Sequence, residues 1–290
     1  IEALEPVALQ VPEGTSPRFG EALYITHFLV NQTFDCPARA SIDETFVWRP
    51  AIAARTITFA ALPTALQAGQ RLDPPESLVR EALRAAANDP DPFGFNDEFQ
   101  NASRAVRAQY AVVATAFMTR LFNALPDPLP IDVMLGPSRQ VEWTYPNRFL
   151  RLKSRPDFTT HARFGKEADD RCIWILAGAR GEHTRRAAAF EAVATTAASG
   201  SKPAQIVVAS SSSGIVDRYD VDDDFLDEGI AAIVTAGETA IAGWNQAIDT
   251  LDRRPGLFTC QGCEEQPTCA AYAEWKATPV RTRGGLPLLL

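Results

Sequence analysis

The sequence predicts an α/β sheet domain with a helical insertion near residues 42–135 and a cysteine cluster near its C-terminal end. Three observations predict it. From residue 140 onward the chain reads as strands, hairpin, helix, strand, strand and helix, an order that a sheet with helices packed on it satisfies. Before that point, stretches rich in Pro, Asp and Asn separate pieces with helical periodicity only. Finally, three cysteines fall within ten residues after the last helix.

The elements follow in order. Residues 1–20 are Pro-rich and are expected to be irregular. Residues 21–40 read as a helix, with Leu23, Phe28, Leu29 and Phe34 on one side and Asp35-Cys36-Pro37 at its end. Within residues 63–100 one helical piece is expected, from Ser77 to Ala87. Residues 101–125 form the first long helix, capped by Asn101 or Ser103, with Val106, Tyr110, Val113, Phe117 and Leu121 at helical spacing. Pro126-Asp127-Pro128-Leu129-Pro130 ends the helical half. Strands are expected over 140–145, 149–162 and 171–176, the last two joined as a hairpin by the loop 165–170. A helix over 182–199 ends at Gly200. Strands at 204–209 and 215–221 flank the serine-rich turn 210–214, and a helix runs from 222–224 to about Leu251. The segments are 1–41 (first cysteine), 42–135 (insertion), 136–252 (α/β core) and 253–290 (cysteine cluster and tail), read together as one domain over 1–290.

Composition narrows the function classes. The 290 residues include 46% hydrophobic and 22% charged residues, ordinary for a globular chain. No apolar run approaches the ~20 residues of a membrane helix. The start, Ile1-Glu2-Ala3-Leu4-Glu5-Pro6, lacks a basic-then-apolar signal pattern. It reads as a trimmed start of a cytoplasmic protein with no membrane partner. The net charge of −8 argues against indiscriminate nucleic-acid binding. Residues 148–186, however, carry ten Lys or Arg against five Asp or Glu, a net +5 that leaves −13 on the rest. Such a stripe on an acidic protein reads equally as a focused anionic-ligand site or as solvated strands with ion-pair partners. No G-x-x-x-x-G-K-[ST] loop is present, and Ser210–Gly214 is not a nucleophile elbow. His27, His161 and His183 do not form a metal site by spacing.

The cysteines carry the specific signal. Five of them (36, 172, 260, 263 and 269), an odd count in a chain read as intracellular, disfavour a disulfide framework. Cys260, Cys263 and Cys269 form C-x2-C-x5-C, most of a metal site. Structural zinc usually takes two matched pairs or adds histidine, and no second pair exists. Cys36, in Asp-Cys-Pro, is the best distant fourth ligand. Cys172 lies in an apolar strand and reads as a buried structural cysteine. Four thiolates suit a 4Fe–4S cluster, with zinc as the alternative.

A distant cysteine followed by a C-terminal C-x2-C-x5-C resembles the iron–sulfur branch of the PD-(D/E)xK nucleases, which includes RecB-like and AddB nuclease domains. Thr26-His27-Phe28-Leu29 to Cys36-Pro37 resembles that branch's N-terminal helix. Glu142 and Arg155-Pro156-Asp157-Phe158 resemble the strand of the first metal-binding Asp. Cys172–Leu176 resembles the next core strand, and Arg185–Ala198 the helix after it. The resemblance implies a restriction-endonuclease-like core, a mixed central sheet flanked by helices. It also implies a site where two carboxylates hold Mg²⁺, the metal activates water and a lysine stabilises charge.

The second strand departs from that pattern. Where an acid and a lysine are expected, the chain reads Ala177-Gly178-Ala179-Arg180. Glu182 and Lys153 are possible stand-ins around Asp157. The helix that would carry Gln and Tyr has Arg186 and Phe190. The expectation is therefore a DNA-processing protein with a degenerate nuclease site. It would bind single-stranded or end-containing DNA through Arg155, Arg180, Arg185 and Arg186, or serve beside a helicase or other subunit in a repair, recombination or defence assembly. The alternatives are an active Mg²⁺-dependent DNA exonuclease with relocated catalytic residues, and a purely structural or partner-binding module.

Overall fold

The computed structural model describes residues 2–11, 22–40, 53–54, 56–58, 61, 74–86, 95–124, 133–137, 141–146, 149–154, 156, 158–162, 172–177, 182–210, 213–245, 250–256, 260, 263 and 265–278. It is a mixed α/β structure. After a 3-10 turn at Glu2–Leu4 come α1 (Glu5–Gln10), β1 (Leu23–Ile25), α2 (His27–Asp35), α3 (Pro37–Ala40), α4 (Pro75–Ala86), α5 (Phe95–Asn101) and α6 (Arg104–Ala124). Then follow β2 (Val133–Pro137), β3 (Val141–Thr144), β4 (Leu150–Ser154), β5 (Phe158–Ala162), β6 (Cys172–Ala177), α7 (Glu182–Ser199), β7 (Gln205–Ser210), β8 (Val216–Asp220), α8 (Asp223–Trp244) and α9 (Ala270–Ala277). Among the described residues no helix is long and apolar enough to cross a membrane.

The chain forms two compact units. The first comprises Ile1–Val47, Thr144–Leu152 and Ile230–Leu290; the second comprises Trp48–Trp143 and Lys153–Gly229.

In the first unit, β1 runs parallel to β4, with Leu23, Tyr24 and Ile25 opposite Leu150, Arg151 and Leu152. Leu23, Ile25, Leu150 and Leu152 are fully buried, and the 3-10 turn and α1 add Leu4 and Val7. In α8, Gly237 lies where an added Cβ would stand 2.5 Å from Val7 and 3.4 Å from Ile25, so α1, β1 and α8 pack closely. Two expectations are corrected here. Residues 5–10 are helical because Pro6 sits in the first turn, where its missing N–H costs no hydrogen bond. The expected single helix over 21–40 is a strand, a helix and a short helix. Leu23 and Ile25 bury alternately with period two as β1, and Thr26, in extended conformation, caps α2 by accepting the Leu29 N–H at 3.3 Å.

In the second unit a five-stranded sheet runs in the order β2-β5-β6-β7-β8. The β2–β5, β5–β6 and β7–β8 pairs are antiparallel; β6–β7 is parallel. β7 explains the layering. Ile206 and Val208 bury against Ala188, Ala189 and Ala192 of α7 and Phe225 of α8. The alternate residues Val207 and Ala209 bury in a second cluster with Leu78 and Val79 of α4 and Tyr110, Ala114, Phe117, Met118 and Leu121 of α6. A strand covered on both faces must be apolar throughout, as Ile206 to Ala209 is.

Further corrections concern boundaries. The expected strand over 149–162 is two strands, β4 and β5, interrupted at Pro156, which has no N–H for a ladder. β2 lies at the edge of the expected helical insertion and pairs with β5. The stretch 63–100 contains α5 as well as α4. Helix α8 ends at Trp244, short of Leu251. Ser103, rather than Asn101, caps α6 by accepting the Val106 N–H at 3.3 Å.

Asp222 accepts the Phe225 N–H at 2.8 Å and so caps α8. Replacing an N-cap carboxylate by alanine removes that acceptor and a favourable charge at the helix's positive end. Asp222→Ala should lower unfolding free energy by about 1 kcal/mol in urea titrations.

Candidate metal centre

Local chemistry sets the position of each cysteine. Cys36 is a corner. Its N–H closes α2 on Gln32 (2.8 Å), and its carbonyl opens α3 by accepting from Arg39 (2.8 Å) and Ala40 (3.3 Å). Pro37 suits the first position of that helix because its φ is already helical. With φ −158° and ψ 97° the Cys36 backbone is extended, and its thiol meets the Asp252 carbonyl at 4.0 Å. The two partners are 216 residues apart in sequence.

The other three cysteines occupy successive turns. The Cys260 N–H bonds the Gly256 carbonyl at 3.0 Å, while the Gly256 N–H donates to the Cys260 sulfur at 3.4 Å. The Cys263 N–H bonds Cys260 at 3.2 Å, and its sulfur accepts the Glu265 N–H. The Cys269 N–H bonds Glu265 at 2.8 Å. Cys269 then stands at the N-cap position of α9.

All four residues line one cavity, together with Arg39, Arg253, Arg254, Glu265 and Tyr272. None of the four is in a disulfide. Burial pushes the Cys260 thiol above its ordinary value, and the charges of Cys36, Cys263 and Cys269 push it further, against the bond from Gly256. Burial likewise raises Cys263, against the Glu265 N–H bond and the nearby Arg39 charge. A bound cation would offset this by favouring the thiolate at Cys260 and Cys263. Among the described residues, however, no group of three or more His, Cys, Asp or Glu is arranged to hold a single metal ion.

The expected nuclease residues are distributed differently. Asp157, Arg155 and Arg180 lie outside the described residues. Lys153 is exposed on β4, and Glu142 is exposed on β3. Glu182 opens α7 with its side chain 88% exposed, paired with Arg186 at 3.2 Å. Arg185 grips the Glu228 carboxylate with two nitrogens, at 2.9 and 2.6 Å, and lies over the rings of Tyr219 and Phe225. Of the four arginines expected to meet DNA, two therefore hold acids of their own surface.

The sequence reading did not identify Glu191. This α7 carboxylate is 2% exposed and accepts a hydrogen bond from Ser154 of β4, itself 1% exposed. Its signal was the single charge within Ala187–Ala194. Arg253 was also missed: its guanidinium bonds both the Cys269 sulfur and Glu265.

No family model matches the chain, and no curated protein matches it.

Proposed function

We propose that this chain is a DNA-processing protein with an iron–sulfur, PD-(D/E)xK nuclease-like fold and an impaired catalytic site. The observation that carries the reading is the convergence of Cys36, Cys260, Cys263 and Cys269 on one cavity. A lone tetrahedral zinc with bonds of ~2.3 Å needs its sulfurs within ~4 Å of one another. A 4Fe–4S cluster bonds each cysteine to a different iron, and four cysteines line this one cavity. Hydrogen bonds from Gly256 and Glu265 to two of the sulfurs suit either metal but are of the kind that tune a cluster. The cluster would supply structural cross-linking between Cys36 and the C-terminal cysteines.

The nuclease-like part of the reading is supported by the sheet order. Three antiparallel strands (β2, β5, β6) are followed by α7 and a strand parallel to β6, a mixed sheet flanked by helices. The impaired site is inferred from Ala177, Ala179 and Arg180 where an acid and a lysine are expected. Neither Mg²⁺ nor Mn²⁺ should support cleavage of single- or double-stranded DNA. Mg²⁺-dependent degradation that Asp157→Ala abolishes would instead establish an active exonuclease.

The ion pairs of Arg185 and Arg186 favour a second reading, a partner-binding or structural module. The exposed Arg185–Glu228 pair is worth at most about 1 kcal/mol, so a phosphate can compete for Arg185, whereas the Arg186 side chain is only 15% exposed. A DNA titration separates the readings. DNA binding weakens with salt with a log–log slope of about −0.7 per phosphate contact on single strands. Absence of binding even at low salt leaves the module reading.

A further inference from the structure

We infer that Arg253 is a positioning residue for the metal centre, acting on the Cys269 sulfur from within a hub, Asp252 to Gly256, that braces the whole cysteine cage. The inference rests on the cluster reading above.

Each part of the hub reaches a different part of the cage. The Asp252 carbonyl accepts the Ala38 N–H at 3.2 Å and faces the Cys36 thiol. Arg254 donates to the Phe34 carbonyl near the end of α2 at 3.1 Å, and to the Asp252 carboxylate at 3.1 Å. Gly256 exchanges two bonds with Cys260, N–H to sulfur and carbonyl to N–H. Arg253 bonds the Cys269 sulfur and the Glu265 carboxylate at once. Glu265 in turn ties Cys263 and Cys269, its N–H on one sulfur and its carbonyl on the other residue's amide. One pentapeptide thus contacts three cysteines directly and the fourth at one remove.

Arg253 is the chemically active member. Its side chain is 27% exposed and that of Glu265 is 34% exposed, so both are drawn largely out of water. A guanidinium offers five donors in a rigid fork and serves a sulfur and a carboxylate together. A lysine keeps the charge but not the fork. A cationic donor on a ligating sulfur stabilises the more electron-rich state of the centre, which raises its midpoint potential, and it orients the ligand, which slows metal loss.

The test uses the full chain, purified and reconstituted without oxygen, as wild type, Arg253→Met, Arg253→Lys and Glu265→Gln. Iron release to a chelator and the midpoint potential are measured. Arg253→Met should release iron about 10-fold faster or more, with a lower potential, and Arg253→Lys should recover part of both. Glu265→Gln leaves the donor to Cys269 in place and should keep the wild-type potential. Wild-type potential and release in Arg253→Met overturn the inference. An equal potential shift in Glu265→Gln also overturns it, because Arg253 would then act only as a partner of Glu265. A wild-type chain that takes up no iron sinks the cluster reading itself, and that result is seen before any variant is made.

Discussion

On the cluster reading, Cys36→Ser should remove the iron as completely as Cys263→Ser, whereas Cys172→Ser should leave it in place. Each of the first two changes deletes a sulfur from the shared cavity. Cys172 starts β6 of the second unit, in register with Gln205. The loss extends beyond one ligand. Structural metal sites contribute about 10–16 kcal/mol in small zinc domains, and a cage of four thiols with one removed cannot keep that contribution. The cavity is partly enclosed, so burial leaves the Cys260 and Cys263 thiols desolvated without a metal to hold them. Cys36 sits between α2 and α3 and meets Asp252, so its loss should loosen the N-terminal helices from residues 252–256. The measurements are iron per chain, expected to fall from about four to near zero, and chemical unfolding of the variant beside wild type. Full metal content in Cys36→Ser would show that the long-range ligand is misassigned.

The sequence made some of this legible, and the reasons differ by element. Helix α7 was predicted with its observed bounds, Glu182–Ser199. Its Ala-rich run and the following glycine are local signals, and Gly200 does adopt the left-handed φ of +75° that a C-terminal cap requires. The β5–β6 hairpin was likewise local. Strand β1 was hidden because three alternating residues fit a helical pattern equally well. Its extended form comes from β4, more than a hundred residues downstream, and a partner that distant leaves no mark on local periodicity.

The same division holds at the site. The C-x2-C-x5-C spacing can be read directly from the chain, because three thiols in ten residues are a local pattern. Arg253 cannot, because nothing in Asp252-Arg253-Arg254-Pro255-Gly256 distinguishes a helix-breaking linker from a brace. Only the fold brings its guanidinium to Cys269 and Glu265. The basic stripe shows the converse limit. Charge summed along sequence ignored Glu228, which lies 43 residues from Arg185 and neutralises it. Glu191 shows a third limit: a lone acid in an alanine-rich helix reads as exposed unless the strand bearing Ser154 is known to cover it.

Gly229→Ala should destabilise the second unit by about 2 kcal/mol, although helix propensity alone gives the opposite sign. Inside a helix alanine is favoured over glycine by about 1 kcal/mol, and Gly229 lies within α8. Packing decides otherwise. A Cβ there would stand 2.5 Å from the Ala189 carbonyl oxygen, 2.7 Å from Val193 Cγ2 and 2.9 Å from the Ala189 carbonyl carbon. Two of these three atoms are backbone of α7, which cannot swing aside as a side chain would. The helices must separate, and separation opens the cluster of Ala188, Ala189, Ala192, Ile206, Val208 and Phe225 that seals one face of the sheet. Overpacking of this kind costs about 1–3 kcal/mol, occasionally more, which outweighs the propensity gain. The control is Gly200→Ala. Nothing lies within 4 Å of its added Cβ, so only the left-handed φ opposes it, at about 1 kcal/mol. Urea midpoints at constant m-value compare the two. A Gly229→Ala midpoint at or above wild type would show that α7 and α8 do not approach as closely as Gly229 and Ala189 require.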